Sequence, residues 1–226
     1  HFFPWRGIFI VLACTYLISS VIFWFVSTEI KVTNPPKAIF TSIIKIRSLW
    51  FMAIIWIFGA GANLGIYSIV PLYLTKELLL DIGYANTILG VSRLGAIIVA
   101  IACGFLIDRF NLRKIMFLVM IITSILTVLM GLVSVRYIVI VLFMQAFCVT
   151  AFFPVGLVAM AKAFSREMRS LATGIIVAVS IVFGGGVIPY VLGVSGDMIS
   201  FRVGITILGI FVGLSSTLIF HPKELE

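Results

Sequence analysis

Hydrophobic residues dominate the chain in long, nearly uncharged runs that are separated by short polar and basic segments. Seven runs exceed about 18 residues, the length that an α-helix needs to cross the roughly 30 Å hydrocarbon layer of a membrane. They cover residues 7–27, 48–75, 82–107, 115–135, 137–161, 170–196 and 203–220. The ten-residue alternation that is typical of an outer-membrane barrel is absent from the sequence. The pattern therefore predicts an all-α membrane protein with about seven transmembrane helices.

The composition agrees with a membrane protein and excludes most other classes. Of the 226 residues, 62% are apolar and 11% are charged, and the mean hydropathy is +1.28. A water-soluble domain has about 25% charged residues, and a disordered chain has few apolar ones. The cysteines lie within apolar runs without a CxxC pair, so we expect small buried side chains instead of disulfides or a zinc site. They are Cys14, Cys103 and Cys148.

The charged residues predict how the helices are oriented. The chain has 16 Lys and Arg against 8 Asp and Glu, a formal net charge of +8. In a membrane protein such an excess marks the cytoplasmic loops and does not indicate nucleic-acid binding. Eleven cations fall in alternate loops, at positions 31, 37, 45, 47, 109, 113, 114, 162, 166, 169 and 223, and only four fall in the others, at 6, 76, 136 and 202. We therefore expect the carboxyl terminus to lie in the cytoplasm. We expect the protein to lie in the plasma membrane or inner membrane of a bacterium.

The longest polar segment, residues 28–47, is predicted to be a cytoplasmic linker. Apolar residues at 39, 40, 43 and 44 and cations at 37, 45 and 47 fit a short helix in the membrane interface. The alternative is an irregular polar loop. The chain begins at His1 without a methionine and without the features of a signal peptide, so we expect it to be part of a longer protein.

The polar loop between the third and fourth runs carries a motif. Residues 104–114 read GFLIDRFNLRK. A glycine such as Gly104 lets two helices approach closely, and an acid such as Asp108 is stabilised by the positive amino-terminal end of another helix. Three basic residues hold the loop on the cytoplasmic side: Arg109, Arg113 and Lys114.

This loop resembles the loop G-x-x-x-D-R-x-G-R-[RK] of the major facilitator superfamily. Asn111 stands at the glycine position, and Leu112 precedes the arginine. Because asparagine tolerates left-handed backbone better than other non-glycine residues, we expect Asn111 to preserve the turn. The resemblance implies a latch on the cytoplasmic face that closes in one state of a transport cycle. Its residues are Gly104, Asp108, Arg109, Arg113 and Lys114.

The resemblance also implies a domain organisation. Members have two six-helix halves, each with this loop between its second and third helices. Residues 1–27 would then be the last helix of the amino-terminal half, 28–47 the linker, and 48–226 the carboxyl-terminal six-helix half. Residues 184–202, GGGVIPYVLGVSGDMISFR, are similar to the eleventh helix and following outer loop of many members.

The glycine-rich part of that segment predicts a weak point in a helix. Gly185 is the middle residue of a glycine triplet, and Pro189 follows one turn later. We expect this segment to bend during gating, although simple helix packing explains it equally well.

Arg93 is the most informative polar residue inside a predicted span. An arginine near the bilayer centre costs on the order of 2.5–3.5 kcal/mol, and intramembrane charges usually serve function. None of the eight acidic residues lies deep in a span, so the sequence offers no counter-ion. We expect Arg93 to bind an anionic group of a substrate. The alternatives are an ion pair with an acid outside this chain, or bonds to carbonyls at a helix end.

Other polar side chains lie at a similar depth. Tyr67 follows Asn63 by one helical turn and shares its face. Because transporter sites occur at the membrane midplane, these residues are candidates to line the site with Arg93, whereas each alone could simply bond a neighbouring helix. The candidates are Asn63, Tyr67, Gln145, Thr150 and Ser180.

The resemblance implies a secondary transporter that moves a small solute by alternating access, as symport or antiport. With Arg93 in the site, we predict a small organic or inorganic anion as substrate. The alternatives are a transport-inactive scaffold or assembly partner and a multidrug-type exporter. The sequence has no ATP-binding motif, catalytic constellation or metal-ligand cluster, so we expect neither an enzyme nor a cofactor. The expected partners are the solute, membrane lipid and the missing amino-terminal half.

Overall fold

The described part of the chain is helical. The structure, a computed structural model, describes residues 5–27 and 38–221, and all of their side chains except those of residues 5, 6, 38–40, 96, 97 and 100. No strand occurs within these ranges. The prediction of an all-α fold is confirmed.

Eleven α-helices, three π-helical segments and a terminal 3₁₀ turn make up the described residues. The helices are α1 (Trp5–Val26), α2 (Ala38–Ile44), α3 (Arg47–Ala60), α4 (Ile66–Leu72), α5 (Ile82–Arg109), α6 (Leu112–Leu132), α7 (Val135–Thr150), α8 (Phe152–Ala163), α9 (Arg166–Ser180), α10 (Ile188–Met198) and α11 (Phe201–Ser216). The first, second and third π segments are Gly61–Gly65, Tyr73–Glu77 and Ile181–Val187, and the 3₁₀ turn is Thr217–Phe220.

The predicted membrane spans reappear with small changes at their ends. Six stretches of the described residues are long and apolar enough to cross a membrane: Gly7–Val26, Arg47–Glu77, Leu112–Leu132, Val135–Ala163, Arg166–Met198 and Phe201–Phe220. The remaining predicted span, 82–107, falls on α5, an uninterrupted helix of 28 residues that includes three of the side chains left out above.

The linker contains the predicted short helix, seen as α2. Residues 28–37, which include the cations at 31 and 37, lie outside the described residues, as does Lys223. In α2 the side chain of Ile43 is fully buried, whereas those of Thr41, Ser42 and Ile44 are exposed. One face of this helix therefore packs against the protein and the other is exposed.

The chain divides into two compact units, one containing α1 and the other containing α2 to α11. In α1, the side chains from Ile8 to Val26 are all exposed, including that of Cys14. The expectation of buried cysteines is therefore wrong for Cys14. Cys103 is buried and Cys148 is partly buried, and all three thiols are free.

Helices of the larger unit are held together by close packing and by interhelical hydrogen bonds. α6 packs along α11, where the Ser124 hydroxyl donates to the Gly209 carbonyl at 2.7 Å. The Tyr73 hydroxyl donates to the Met130 carbonyl at 2.8 Å. In a membrane, contacts of this kind hold helices together, because lipid tails are as apolar as the helix surfaces.

Two of the long helices lie side by side and approach closely around the third π segment. The first helix consists of α3, the first π segment and α4, and the second consists of α9, the third π segment and α10. The two run parallel, with α3 against α9, the first π segment against the third, and α4 against α10. A Cβ atom at Gly184 would lie 2.6 Å from the Ile57 carbonyl oxygen, and one at Gly65 would lie 2.8 Å from the Gly184 carbonyl oxygen. Only glycine permits this backbone approach.

Candidate substrate site

Arg93 lies near the middle of α5 and is held by two side chains of the neighbouring helix. Its Cζ atom lies 3.5 Å from the centroid of the Tyr67 ring, and its Nη1 donates to Asn63 Oδ1 at 3.1 Å. A guanidinium over an aromatic face gains a cation–π attraction, which is strongest where water is excluded. Tyr67 and the amide oxygen of Asn63 thus replace part of the hydration that Arg93 loses.

Arg93 has no ion-pair partner among the described residues. Its hydrogen bond to Asn63 uses one of the five N–H donors of a guanidinium, and the others have no hydrogen-bond partner in that part of the chain. The side chain is only partly buried. Arg93 is therefore oriented by neutral groups, and most of its donors are unpaired within the described part of the chain.

Gln145 of α7 connects this cluster to a third helix. The Tyr67 hydroxyl donates to Gln145 Oε1 at 2.8 Å, with the Leu142 carbonyl oxygen 3.4 Å away. Gln145 Nε2 donates to the Ala62 carbonyl oxygen at 3.1 Å. Because Gln145 is fully buried and both ends of its amide are bonded, it fixes the Tyr67 ring on which Arg93 stacks.

The first π segment supplies the carbonyl that Gln145 binds. The backbone N–H of Ile66 donates to the carbonyls of Gly61 and Asn63 and so passes over that of Ala62. A helix that widens to i→i+5 bonding leaves such a carbonyl to be satisfied by a side chain, and π segments of this kind often occur at functional sites. The irregular backbone and the polar cluster therefore belong to one arrangement.

The structure connects four of the six predicted site residues, and no hydrogen bond joins the other two to them within the described residues. Arg93, Asn63, Tyr67 and Gln145 form one connected cluster. The Thr150 hydroxyl instead donates to the Ala146 carbonyl at 2.7 Å and the Ser180 hydroxyl to the Val177 carbonyl at 2.8 Å, each within its own helix turn.

Thr127 of α6 belongs beside the cluster but was not among the sequence candidates. Its Oγ1 lies 3.4 Å from Gln145 Nε2, and its side chain is fully buried. The available signal was the group Thr123, Ser124 and Thr127 in an otherwise apolar run. Periodicity alone does not say which of these hydroxyls faces α7.

Comparisons with known proteins identify the family. The sequence model of the Major Facilitator Superfamily matches residues 57–225. The chain belongs to the Major Facilitator Superfamily. It is an integral membrane protein of that family, and its resemblance to a six-helix half is confirmed. A comparison with curated proteins found no match.

Solved structures of major facilitator transporters share the fold. The fucose:proton symporter FucP of E. coli superposes with a TM-score of 0.76 at 14% identity, over 96% of this chain and 55% of that one. FucP in the outward conformation superposes with a TM-score of 0.77 at 14% identity, over 96% of this chain and 54% of that one. The third structure is a bacterial homologue of the human lysosomal transporter Spinster in an inward-facing and unoccupied conformation. It superposes with a TM-score of 0.67 at 12% identity, over 98% of this chain and 59% of that one. The chain thus spans little more than half the length of these transporters.

The loop that suggested the major facilitator superfamily differs from the expected turn. Asn111 has φ −61° and ψ 119°, so its backbone is not left-handed, and the expectation that it adopts that conformation is wrong. Its side chain instead caps α6, with Oδ1 accepting from the backbone N–H of Arg113 at 3.0 Å and of Lys114 at 3.3 Å. Asparagine is favoured here because it satisfies amides that the helix start leaves unpaired.

Of the other predicted gating residues of this major facilitator loop, Arg113 is partly buried and the rest are exposed: Gly104, Asp108, Arg109 and Lys114. The side chains of Asp108 and Arg109 make no hydrogen bond or ion pair with the described residues. A Cβ atom at Gly104 would have no heavy atom within 4 Å, so the close helix approach expected there does not occur within the described chain. The latch therefore remains a prediction.

The second predicted gating element of the family is an irregular helix. Gly185 lies inside the third π segment and Pro189 is within the first turn of α10. A Cβ atom at Gly185 would lie 3.7 Å from Leu64 Cδ1, an ordinary contact. The backbone is thus irregular at the predicted weak point, whereas its bending and its motion in gating remain predictions.

Proposed function

We propose that the chain is the carboxyl-terminal half, with the last helix of the amino-terminal half, of a secondary transporter that moves a small anion by alternating access. The observation that carries the proposal is the state of Arg93, which neutral side chains orient without neutralising its charge. Its free N–H groups match the planar, bidentate geometry with which arginine binds a carboxylate or phosphate.

The energetics support a ligand for Arg93. A charge at this depth costs on the order of 2.5–3.5 kcal/mol, and stacking on Tyr67 returns about 0.5–2 kcal/mol of that cost. An anionic substrate would offset the remainder while it is bound. The amino-terminal half would close the site from the other side, and, because the described spans hold no deep acid, any proton-coupling carboxylate would belong to that half.

Transport measurements on the whole protein test the proposal. We expect Arg93→Ala to lower the uptake of anions at least about tenfold. Arg93→Lys keeps the charge but loses the planar guanidinium that stacks on Tyr67 and can bind an anion through two N–H groups, so it should restore only part of the uptake. Arg136→Ala is the matched control, because Arg136 also lies near a tyrosine, Tyr137 at 5.9 Å, but at a helix start. It should leave uptake unchanged.

The ring of Tyr67 provides a second arm of the same experiment. Tyr67→Phe keeps the aromatic ring on which Arg93 stacks and loses the hydroxyl with its hydrogen bond to Gln145, whereas Tyr67→Leu removes the ring. We expect a larger rise of KM in Tyr67→Leu than in Tyr67→Phe, because the ring orients Arg93. Anion uptake that survives Arg93→Ala and Tyr67→Leu would remove the cluster from the site. A protein inactive on anions but active on cationic drugs would favour the exporter, and one inactive on all solutes would favour the scaffold.

A further inference from the structure

The turn between α2 and α3 presents exposed cations on a firmly attached backbone. The backbone N–H of Lys45 donates to the Ser42 carbonyl at 3.3 Å and that of Ile46 to the Ile43 carbonyl at 3.1 Å. The buried side chain of Ile43 anchors the turn to the helices behind it. Lys45 and Arg47 are both exposed. These charges are therefore held at a defined place.

The start of α9 adds two more cations to the same end of the unit. α2 packs against α9, and α3 runs parallel to α9, so the starts of α3 and α9 lie at the same end of the unit. Arg166 and Arg169 are exposed and lie three residues apart, on one face of the first turn of α9. We refer to Lys45, Arg47, Arg166 and Arg169 as the basic corner.

The basic corner is electrostatically unbalanced. None of its four side chains has an ion-pair partner among the described residues, and Glu167 is the only acid in the first turn of either helix. The positive ends of the helix dipoles of α3 and α9 add to the same sign, and no side chain caps either helix start. An anion at this corner would offset the repulsion.

Exposed apolar groups beside the corner identify the kind of anion. The side chains of Trp50 and Ile44 are 49% and 39% exposed. The Trp50 Nε1 donates to the Ile44 carbonyl oxygen at 2.9 Å, which holds the indole beside the turn. Tryptophan is enriched where a membrane protein meets the headgroup region, and clustered cations next to a span attract anionic lipids. A free phosphate ion would use the cations but not the apolar pair.

We propose that the basic corner, together with Trp50 and Ile44, binds an anionic phospholipid on this side of the membrane, which the charge pattern predicts to be cytoplasmic. The headgroup phosphate pairs with the cations, and the upper acyl chain packs against Trp50 and Ile44. This site is separate from the Arg93 cluster and does not depend on what is transported.

Fluorescence quenching by brominated lipids tests the proposal on the full chain in nanodiscs. The signal of Trp50 is the difference between the chain and its Trp50→Phe variant, since Trp5, Trp24 and Trp56 remain in both. We expect brominated phosphatidylglycerol to quench Trp50 about threefold more than brominated phosphatidylcholine at the same mole fraction. Added inorganic phosphate should leave this preference unchanged.

Charge variants separate a defined site from general surface charge. Arg47→Gln with Arg166→Gln should reduce the phosphatidylglycerol preference to about one. Arg109→Gln with Lys114→Gln removes the same amount of charge from the loop between α5 and α6, and should leave the phosphatidylglycerol preference unchanged. Equal quenching by both lipids, competition by free phosphate, or an equal loss in both double variants would overturn the proposal.

Discussion

Leu79 is the one non-glycine residue with positive φ in the described backbone, at 56°. It follows the second π segment, where the N–H of Leu78 donates to the Tyr73 carbonyl at 3.1 Å and that of Leu80 donates to the Leu74 carbonyl at 3.0 Å. These bonds close the helix end and force the residue between them into the left-handed region. For an L-residue with a side chain, that conformation costs roughly 1–2 kcal/mol.

We therefore expect Leu79→Gly to stabilise the protein by about 1 kcal/mol, because glycine adopts this conformation without steric cost. The side chain is 83% exposed, so its loss removes little packing. Thermal unfolding in detergent measures the effect. Leu72→Gly is the control, since Leu72 lies inside α4 and glycine there should lower stability by about 1 kcal/mol. A lower melting temperature in both variants would contradict the assignment of strain to Leu79.

Sequence alone predicted the centre of the candidate site but only part of its supports. Arg93 is conspicuous in an apolar run, and the spacing of Asn63 and Tyr67 places both on the face that reaches it. The Ala62 carbonyl was not predictable, because its availability depends on the i→i+5 bonding of the backbone. Asn111 was misassigned because the same residue type suits both a left-handed turn and a helix cap.

At the scale of helices, the third π segment makes a close backbone approach to the end of α3 and to the first π segment. Gly65 and Gly184 face each other there, and the Ala60 side chain lies close to Gly184. A side chain at this point would have to move backbone atoms, which are less adaptable than the ends of side chains. Packing, not only flexibility, therefore requires glycine at position 184.

We expect Gly184→Ala to destabilise the protein by roughly 1–3 kcal/mol, the usual cost of overpacking. Gly174→Ala is the matched control on α9, where an added Cβ atom would have no heavy atom within 4 Å. That change should be neutral or stabilising by up to about 1 kcal/mol, because alanine favours a helix. Unfolding in detergent compares the two, and an unaffected Gly184→Ala variant would show that the two helices can separate at little cost.

Helix positions were predictable because the apolar runs are long, but helix ends were not. The span predicted at 115–135 is α6, three residues earlier at each end. The hydrophobic criterion excluded Arg113 and Lys114, whereas both lie in the first helical turn, where Lys114 is exposed and Arg113 is partly buried. A composition window reports the depth of residues in the membrane and not where the backbone hydrogen bonds begin.

At the scale of the whole six-helix unit, Glu77 ties the first long helix to the last. Its Oε2 accepts from the backbone N–H of Phe201 at 2.6 Å, and its Oε1 lies 3.7 Å from Arg202 Nε. The carboxylate therefore satisfies an amide at the start of α11 and stabilises the helix dipole there. The ion pair is partly exposed, so it adds little by itself.

Removing this link between the two helices should lower the stability of the whole unit. We expect Glu77→Ala to cost about 1–2 kcal/mol of stability and Glu77→Gln, which keeps an acceptor for Phe201, to cost less. Thermal unfolding at low and high salt separates the two contributions, since only the charge effect is screened. If Glu77→Gln is as damaging as Glu77→Ala, the charge and not the hydrogen bond holds the helices together.

The π segments also change how the long helix from Arg47 to Glu77 must be mapped by labelling. Each widened turn takes in one additional residue, which displaces everything beyond it by about 100° around the axis. No single helical wheel fits the helix: residues before Gly61 follow one phase and those after Gly65 another. In a scan of single cysteines, the stripe of water-accessible positions should step sideways at the first π segment. Helical wheels drawn from the sequence would therefore assign residues beyond that step to the wrong face of the helix.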